Sequence, residues 1–293
     1  MRTMARIASA LACMAALAFV SAALAGPEEP TLEARAVLPA LTFAPGPPSG
    51  AFIGAGPFNG VSVPFATQPV QGFSGILPAK GKEYFVLPDN GYGAKANSPD
   101  FLLRIYRVLP QWETAEGGAG TVGVEGFIQL RDPDHKVPWP IVTEGTSSRL
   151  LTGSDFDPES FEPDGSGGFW IGEEFGPFIL HVDATGRLLE APIPLPGVKS
   201  QQNPTLAPGE TPNLAASGGF EGMAMSKDGR TLYPMLEKAL TTDPDHSRRF
   251  VYEFDVRTRS YTGRFWQYRT DAGDHSVTDL VALDEHRFLT IER

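Results

Sequence analysis

Thiols are all but missing from this chain: Cys13 is its one cysteine among 293 residues, and it lies near the start. Arg2 and Arg6 precede an apolar run from Ile7 to Val20, and Ala23-Leu24-Ala25 supplies the small-x-small pattern of a secretory cleavage site. Residues 1–25 therefore read as a signal peptide. The run is shorter than the ~20 apolar residues of a spanning helix, so no stable membrane insertion is expected after cleavage. A lipidated Cys13 is the lesser alternative, because Ala10 stands where a lipobox carries leucine and the apolar run continues past the cysteine. The remaining piece, 26–293, is expected in the periplasm or secreted, with no thiol to pair. Its stability must come from a core or from bound ions, and its length suits one large domain.

Basic side chains are scarce. Lys and Arg number 24 against 35 Asp and Glu, a net charge of −11. Such a chain is a poor partner for nucleic acid or anionic membrane, and a suitable one for divalent cations if its acids converge. Nucleophile machinery is missing too. Ser74 in GFSGI and Ser166 in DGSGG each lack one glycine of the G-x-S-x-G elbow. With no ordered Ser/His/Asp set in view, acyl-enzyme chemistry has little support, and a metal-activated water is the better route to hydrolysis. Beyond the leader there is no apolar stripe of helical period; a helical turn at 213–216 is the one competitor.

What the chain has is punctuation: 32 Gly and 27 Pro, about a fifth of its residues against an ordinary share of roughly 12%. Short strands joined by turns are expected, and they repeat. Four segments superpose: GFSGILPAKGKEYFVLPDN (72–90), ESFEPDGSGGFWIGEE (159–174), FEGMAMSKDGRTLYPMLEK (220–238) and VTDLVALDEHRFLTIER (277–293). Each opens on a small or acidic residue (Ser74, Glu159, Glu221, Asp279), makes a Gly- or Asp-containing turn, and climbs a second strand to an acid (Asp89, Glu173, Glu237, Glu292). Two more strand-like runs follow each of the first three units. They lie at 101–109 and 122–130, at 178–183 and 187–193, and at 248–256 and 261–269. Four antiparallel strands per unit is a β-propeller blade, with loops inserted at about 132–153 and 194–217. The fold expected is therefore all-β, a β-propeller of four-stranded antiparallel blades, with about three full blades plus parts. A strand-rich segment at 33–65 is a candidate to complete the last blade. Closed propellers have roughly 4 to 8 blades, so the chain is read either as truncated or as a ring that does not close.

Equivalent strand ends in successive blades gather at one mouth, so the aligned acids are expected to form a collar. Adjacent residues on a strand face opposite ways, so one of Glu173 and Glu174 faces the mouth and the other does different work. The candidate metal ligands are Asp89, Glu159, Glu173, Glu174, Glu221 and Glu237, with Asp155 and Asp157, just before Glu159, as additional candidates at the same mouth. Oxygen-only donors suit Ca²⁺ best. Lys238, beside Glu237, is placed to meet an anionic substrate, and Arg149 less so; Glu173, Glu237 and Lys238 are the candidate catalytic residues. Asp132-Pro133-Asp134-His135 recurs as Asp243-Pro244-Asp245-His246, and is read as a pair of Asp-Pro turns rather than ion loops. His275 is a candidate base, a surface histidine being the plainer reading.

Taken together, F-E-G-M-A-M-S-K-D-G-R-T-L-Y (220–233), E-S-F-E-P-D-G-S-G-G-F-W-I-G-E-E-F-G-P (159–177) and L-T-I-E-R (289–293) resemble the phytase-like family of secreted bacterial proteins, described by an esterase-like activity of phytase, over about 68–293. The resemblance implies a β-propeller, hydrolysis of phosphate or other esters, and a further portion beyond the E-R motif. The function expected is an exported ester hydrolase acting on a small-molecule ester or phosphoester with calcium in the acidic ring. Its rivals are a non-catalytic cell-envelope propeller that binds a glycan, peptide or protein, and carbohydrate hydrolysis by a carboxylate pair. Nothing in the sequence specifies an oligomeric state.

Overall fold

In the computed structural model, residues 31–293 are described, so the leader expected at 1–25 lies outside the described residues. Four short strands tie the N-terminal segment down: β1 (Ala34–Arg35), β2 (Phe43–Ala44), β3 (Gln68–Pro69) and, later in the chain, β7 (Glu113–Thr114). The first blade consists of β4 (Phe73–Pro78), β5 (Tyr84–Pro88), β6 (Arg104–Gln111) and β8 (Thr121–Gln129); the second of β9 (Pro158–Pro163), β10 (Phe169–Glu173), β11 (Phe178–Val182) and β12 (Ile193–Pro194). The third holds β13 (Phe220–Met225), β14 (Thr231–Leu236), β15 (Arg248–Asp255) and β16 (Ser260–Arg269), and β17 (Val277–Ala282) pairs with β18 (Phe288–Glu292) as a two-stranded fourth sheet. All pairings between these strands are antiparallel.

The hairpin turns follow the sequence chemistry. In the second blade Asp164 Oδ1 accepts from the backbone N–H of Ser166 (2.7 Å) and Gly168 (2.8 Å), closing an Asx-type turn. In the third, the Ser226 hydroxyl accepts from Thr231 N–H at 2.9 Å, and Gly229 takes a left-handed φ of +70°.

Innermost strands lie side by side, β4 against β9, β9 against β13 and β13 against β17. Between them runs a cavity of about 330 Å³ lined by Ser74, Ile76, Glu162, Met223 and Asp279 among others. Radial packing of blades about that axis makes the fold a β-propeller. The core accordingly lies between blades. Leu87, Ile105, Phe161, Ile171 and Phe178 are buried between the first and second. Trp170, Ile179, Phe220, Leu232 and Phe254 are buried between the second and third, and Ala224, Met235, Val277 and Leu280 between the third and fourth. Each fully buried large apolar side chain contributes about 1.5–3 kcal/mol. Two glycines permit the close approach. A Cβ on Gly75 would stand 2.7 Å from the Phe161 ring, and one on Gly222 would stand 2.9 Å from the backbone carbonyl carbon of Asp279.

Two local expectations are corrected, and the helical competitor is not adopted. The 33–65 segment completes no last blade: β1 pairs with β7 and β2 with β3. Ala44 and Leu38 pack with Val70, Tyr106 and Val108 on the first blade, because apolar burial was on offer there. The strand expected at 187–193 shrinks to two residues. Leu188 N–H instead donates to Arg131 O, and Arg131 N–H to Gly186 O, so the inserted loop has taken that backbone. No helix forms at 213–216. The Asn213 side chain bonds Lys199 N–H (2.9 Å) and Gly197 O (2.8 Å), tying the 194–217 loop to itself and competing with a helical turn.

Candidate metal centre

At the same end of every blade the pairing of the first two strands slips by one residue. Phe73 faces Pro88 and Gly75 faces Leu87, leaving out Ser74; Glu159 and Glu221 are left out in the second and third blades, and Thr278 in the fourth. A β-bulge re-aims the extra side chain, which is why this position is chemically distinct. Just beyond the second strand, the N–H groups of Asp89, Glu174, Glu237 and Arg293 donate to the carbonyls of Gly72 (2.9 Å), Asp157 (3.0 Å), Gly219 (2.8 Å) and Ser276 (3.0 Å). These four bonds define equivalence between blades. They place Glu174, not Glu173, with Asp89 and Glu237, and Arg293 where Glu292 was aligned; Asp279, aligned with Glu221, is likewise one residue late.

Five of the acids meet. Asp157, Glu159 and Glu174 can each offer one carboxylate oxygen so that all three lie within 4.8 Å of one another, and so can Glu174, Glu221 and Glu237. Glu174 is common to both groups. Asp157 and Glu174 are held across the strand ends, Glu159 and Glu221 by their bulges. Burial is the main reason that Asp157 is pushed up to about 7 and Glu221 up to about 8, with Asp89 and Glu237 respectively adding repulsion. Glu159 and Glu174 rise well above the usual carboxylate range for the same reason, reinforced by each other's neighbours. Two oxygens are buried with no hydrogen bond, Glu174 Oε1 and Glu237 Oε2; the other Glu174 oxygen accepts from the Ser217 hydroxyl at 2.7 Å. Buried carboxylates with free lone pairs are expensive unless paired or bridged by a cation. Hard oxygen donors, converging and anionic, fit calcium.

The other expected ligands do separate work. Glu173 belongs to neither group. Fully buried, it accepts from the N–H groups of Phe175 (2.9 Å), Gly176 (2.7 Å) and Phe178 (2.9 Å), and so fixes the turn that follows Glu174. Burial pushes it up to about 8, against the Gly176 and Phe175 donors. Asp89 is half-buried at the ring position of the first blade and accepts from Gly91 N–H at 2.7 Å; burial raises it. Asp155 is saturated by Val142 N–H, Thr152 N–H and the Thr152 hydroxyl.

Cations stand on one side of the acids. Lys238 Nζ lies 3.4 Å from Glu237 Oε2, and Arg293 Nη2 lies 3.5 Å from Glu237 Oε1 and 4.0 Å from Glu221. Arg149 is elsewhere: it is buried against Asp132 at 3.1 Å and Glu144, and clamps the inserted loop. Its aliphatic and guanidinium parts are enclosed, so the anion-binding reading is withdrawn. Asp-Pro turns are the right reading of both DPDH stretches: Asp132 accepts from Lys136 and Val137 N–H, Asp134 pairs with Arg187, and Asp243 and Asp245 pair with Arg248 and Arg269. In the sequence Asp157 is an additional candidate only, and its place two residues before Glu159 is the usable signal. Sequence reasoning did not single out Arg293 at all, and the E-R dipeptide was the trace available.

An "Uncharacterized secreted protein" of Arthroderma benhamiae is 28% identical across an alignment of 133 residues covering 37% of this chain and 26% of that one, so the match spans about a quarter of the relative's length. Among solved structures, the Dos1 propeller aligns with a TM-score of 0.32 at 13% identity, covering 75% of this chain and 40% of that one. Sqt1 of Saccharomyces cerevisiae gives 0.35 at 11% identity, covering 73% and 54%, and a GH43 β-1,3-galactosidase with galactodeoxynojirimycin gives 0.40 at 13%, covering 76% and 69%. None of these scores reaches 0.5, so the fold rests on the blade topology above. The family model described as Phytase-like, esterase-like activity of phytase, matches residues 68–293, and the chain belongs to that family.

Proposed function

We propose that this protein is an exported hydrolase of esters, phosphoesters foremost, whose divalent cation is held by Asp157, Glu159, Glu174, Glu221 and Glu237. The observation that supports it most is Glu174: one carboxylate shared by two convergent acid groups, with a buried oxygen that accepts nothing. Calcium is the ion the oxygen-only donor set favours. When bound, it would polarise the scissile group and make water a better nucleophile.

The chain's own residues supply the rest. Burial raises both Asp157 and Glu159, and Asp157 repels Glu159, so protons held there would leave if a cation took their place. Glu173, through its three backbone bonds, positions Glu174. Lys238, partly exposed beside Glu237, meets the anionic part of a substrate, and Glu237 holds Lys238 and Arg293 in place. Export is supported by the pattern of residues 1–25 and by the secreted description of the fungal relative. Phosphate release from inositol phosphates and nitrophenol release from simple esters, with calcium or with chelator, test the reading. Turnover that survives chelation, or that Glu174→Gln leaves intact, refutes it.

A further inference from the structure

In the segment between the third and fourth blades, two residues before Val277, whose N–H meets the Glu237 carbonyl at 3.5 Å, His275 is built into a polar constellation. Its Nδ1 lies 2.7 Å from Glu292 Oε1; an ionised carboxylate only accepts, so Nδ1 donates and Nε2 is left free. Glu292 is itself fixed. It accepts from Asp271 N–H at 2.6 Å and from the Tyr268 hydroxyl at 2.8 Å. The His275 carbonyl accepts from Arg249, a buried guanidinium whose charge faces both Glu237 and Glu292. One residue on, Ser276 and Arg293 exchange backbone hydrogen bonds of 2.9 and 3.0 Å, and Arg293 reaches Glu237. The imidazole is 40% exposed, so its free nitrogen is accessible.

We infer that His275, oriented by Glu292, is the proton-transfer residue of the ester hydrolysis proposed above. The inference rests on that reading and adds a role it does not contain. As the bond from the acyl or phosphoryl centre to the leaving oxygen breaks, its electron pair stays on that oxygen. Nε2–H gives it the proton, and the alcohol departs. The imidazole then takes up the proton released by the attacking water, so the cycle consumes one water and restores the histidine. Glu292 favours the protonated ring and holds it above the usual histidine range, with Asp274 and Asp271 adding to the effect. Arg249 and Tyr268 are the other polar groups around the dyad. Glu292 is a positioning residue in this scheme.

The test uses the calcium-loaded chain and two esters of one acid, an alkyl ester with a poor leaving group and its 4-nitrophenyl counterpart. His275→Gln should lower kcat on the alkyl ester by about 100-fold, the lower end of general acid–base contributions, and by under tenfold on the nitrophenyl ester, which leaves unaided. Glu292→Gln should show the same selectivity, more weakly, and move the basic limb of the pH profile to lower pH, since the ring loses its proton earlier. Thermal melts of both variants confirm folding. Equal losses on the two esters, or none, overturn the assignment while the metal reading stands. Absence of turnover in the unmodified chain overturns both.

Discussion

Replacing Glu174 by glutamine removes the one charge common to both acid groups while keeping the side chain's shape. Without an ion, burial raises Asp157 from its ordinary 3.8 to about 7 and Glu221 from 4.5 to about 8. The folded protein therefore keeps protons that the unfolded chain releases. Stability is fully present below about pH 4, falls as pH rises, and is lowest above about pH 8. Two unit charges at 4.8 Å, the outer limit of the spacing within each group, repel by about 3.5 kcal/mol at an effective dielectric of ~20, and Glu174 enters several such pairs. Ion-free Glu174→Gln should thus be more stable than the unmodified chain at pH 8 by about 3 kcal/mol, equivalent to about 6–12 °C in Tm for a domain near this size. At pH 5, below the raised values of Asp157 and Glu221, fewer charges face position 174 and the two should nearly coincide. Calcium at about 100 times its Kd should add about 2.7 kcal/mol to the unmodified chain and little to the variant. Melts by circular dichroism at both pH values, with chelator or calcium, read all four quantities. A variant no more stable than its parent at pH 8 without ion would refute the convergence of these charges, and an undiminished calcium gain would refute the shared ligand.

Three further outcomes follow from the same geometry. Glu173→Ala leaves three buried N–H groups unpaired and should lower stability by about 3 kcal/mol or more in urea unfolding, while calorimetry finds the number of bound calcium ions unchanged. Gly222→Val drives a branched side chain into the backbone at Asp279, 2.9 Å from where a Cβ would stand. It should destabilise by about 1–3 kcal/mol, seen as an earlier denaturation midpoint. Arg149→Met strips the buried Asp132 of its cation and should cost about 3–5 kcal/mol, yet leave kcat/KM of the folded fraction unaltered, because that clamp stands in the inserted loop.

Blade architecture was legible because its signals are local. Short strands set apart by Gly and Pro, turns such as Asp164 to Gly168, and an acid recurring at the end of each second strand each depend only on residues close in sequence. So does the oxygen-rich, thiol-free character that favours calcium. Glu159, Glu174, Glu221 and Glu237 were already candidates in the sequence; which of Glu173 and Glu174 meets the other acids was not legible, because it turned on a slip of one residue. Alignment by acid put Glu173 and Asp279 in the collar, whereas the bulges at Ser74, Glu159, Glu221 and Thr278 and the N–H bonds to Gly72, Asp157, Gly219 and Ser276 put Glu174 there and turn Asp279 into the central cavity. On a strand, one residue is the difference between opposite faces. The amino-acid sequence by itself determined that this protein would build repeated four-stranded sheets ending in acids. Only the packing of blade against blade decided which of those acids share a few ångströms of buried space, since that choice is made by contacts between residues tens of positions apart.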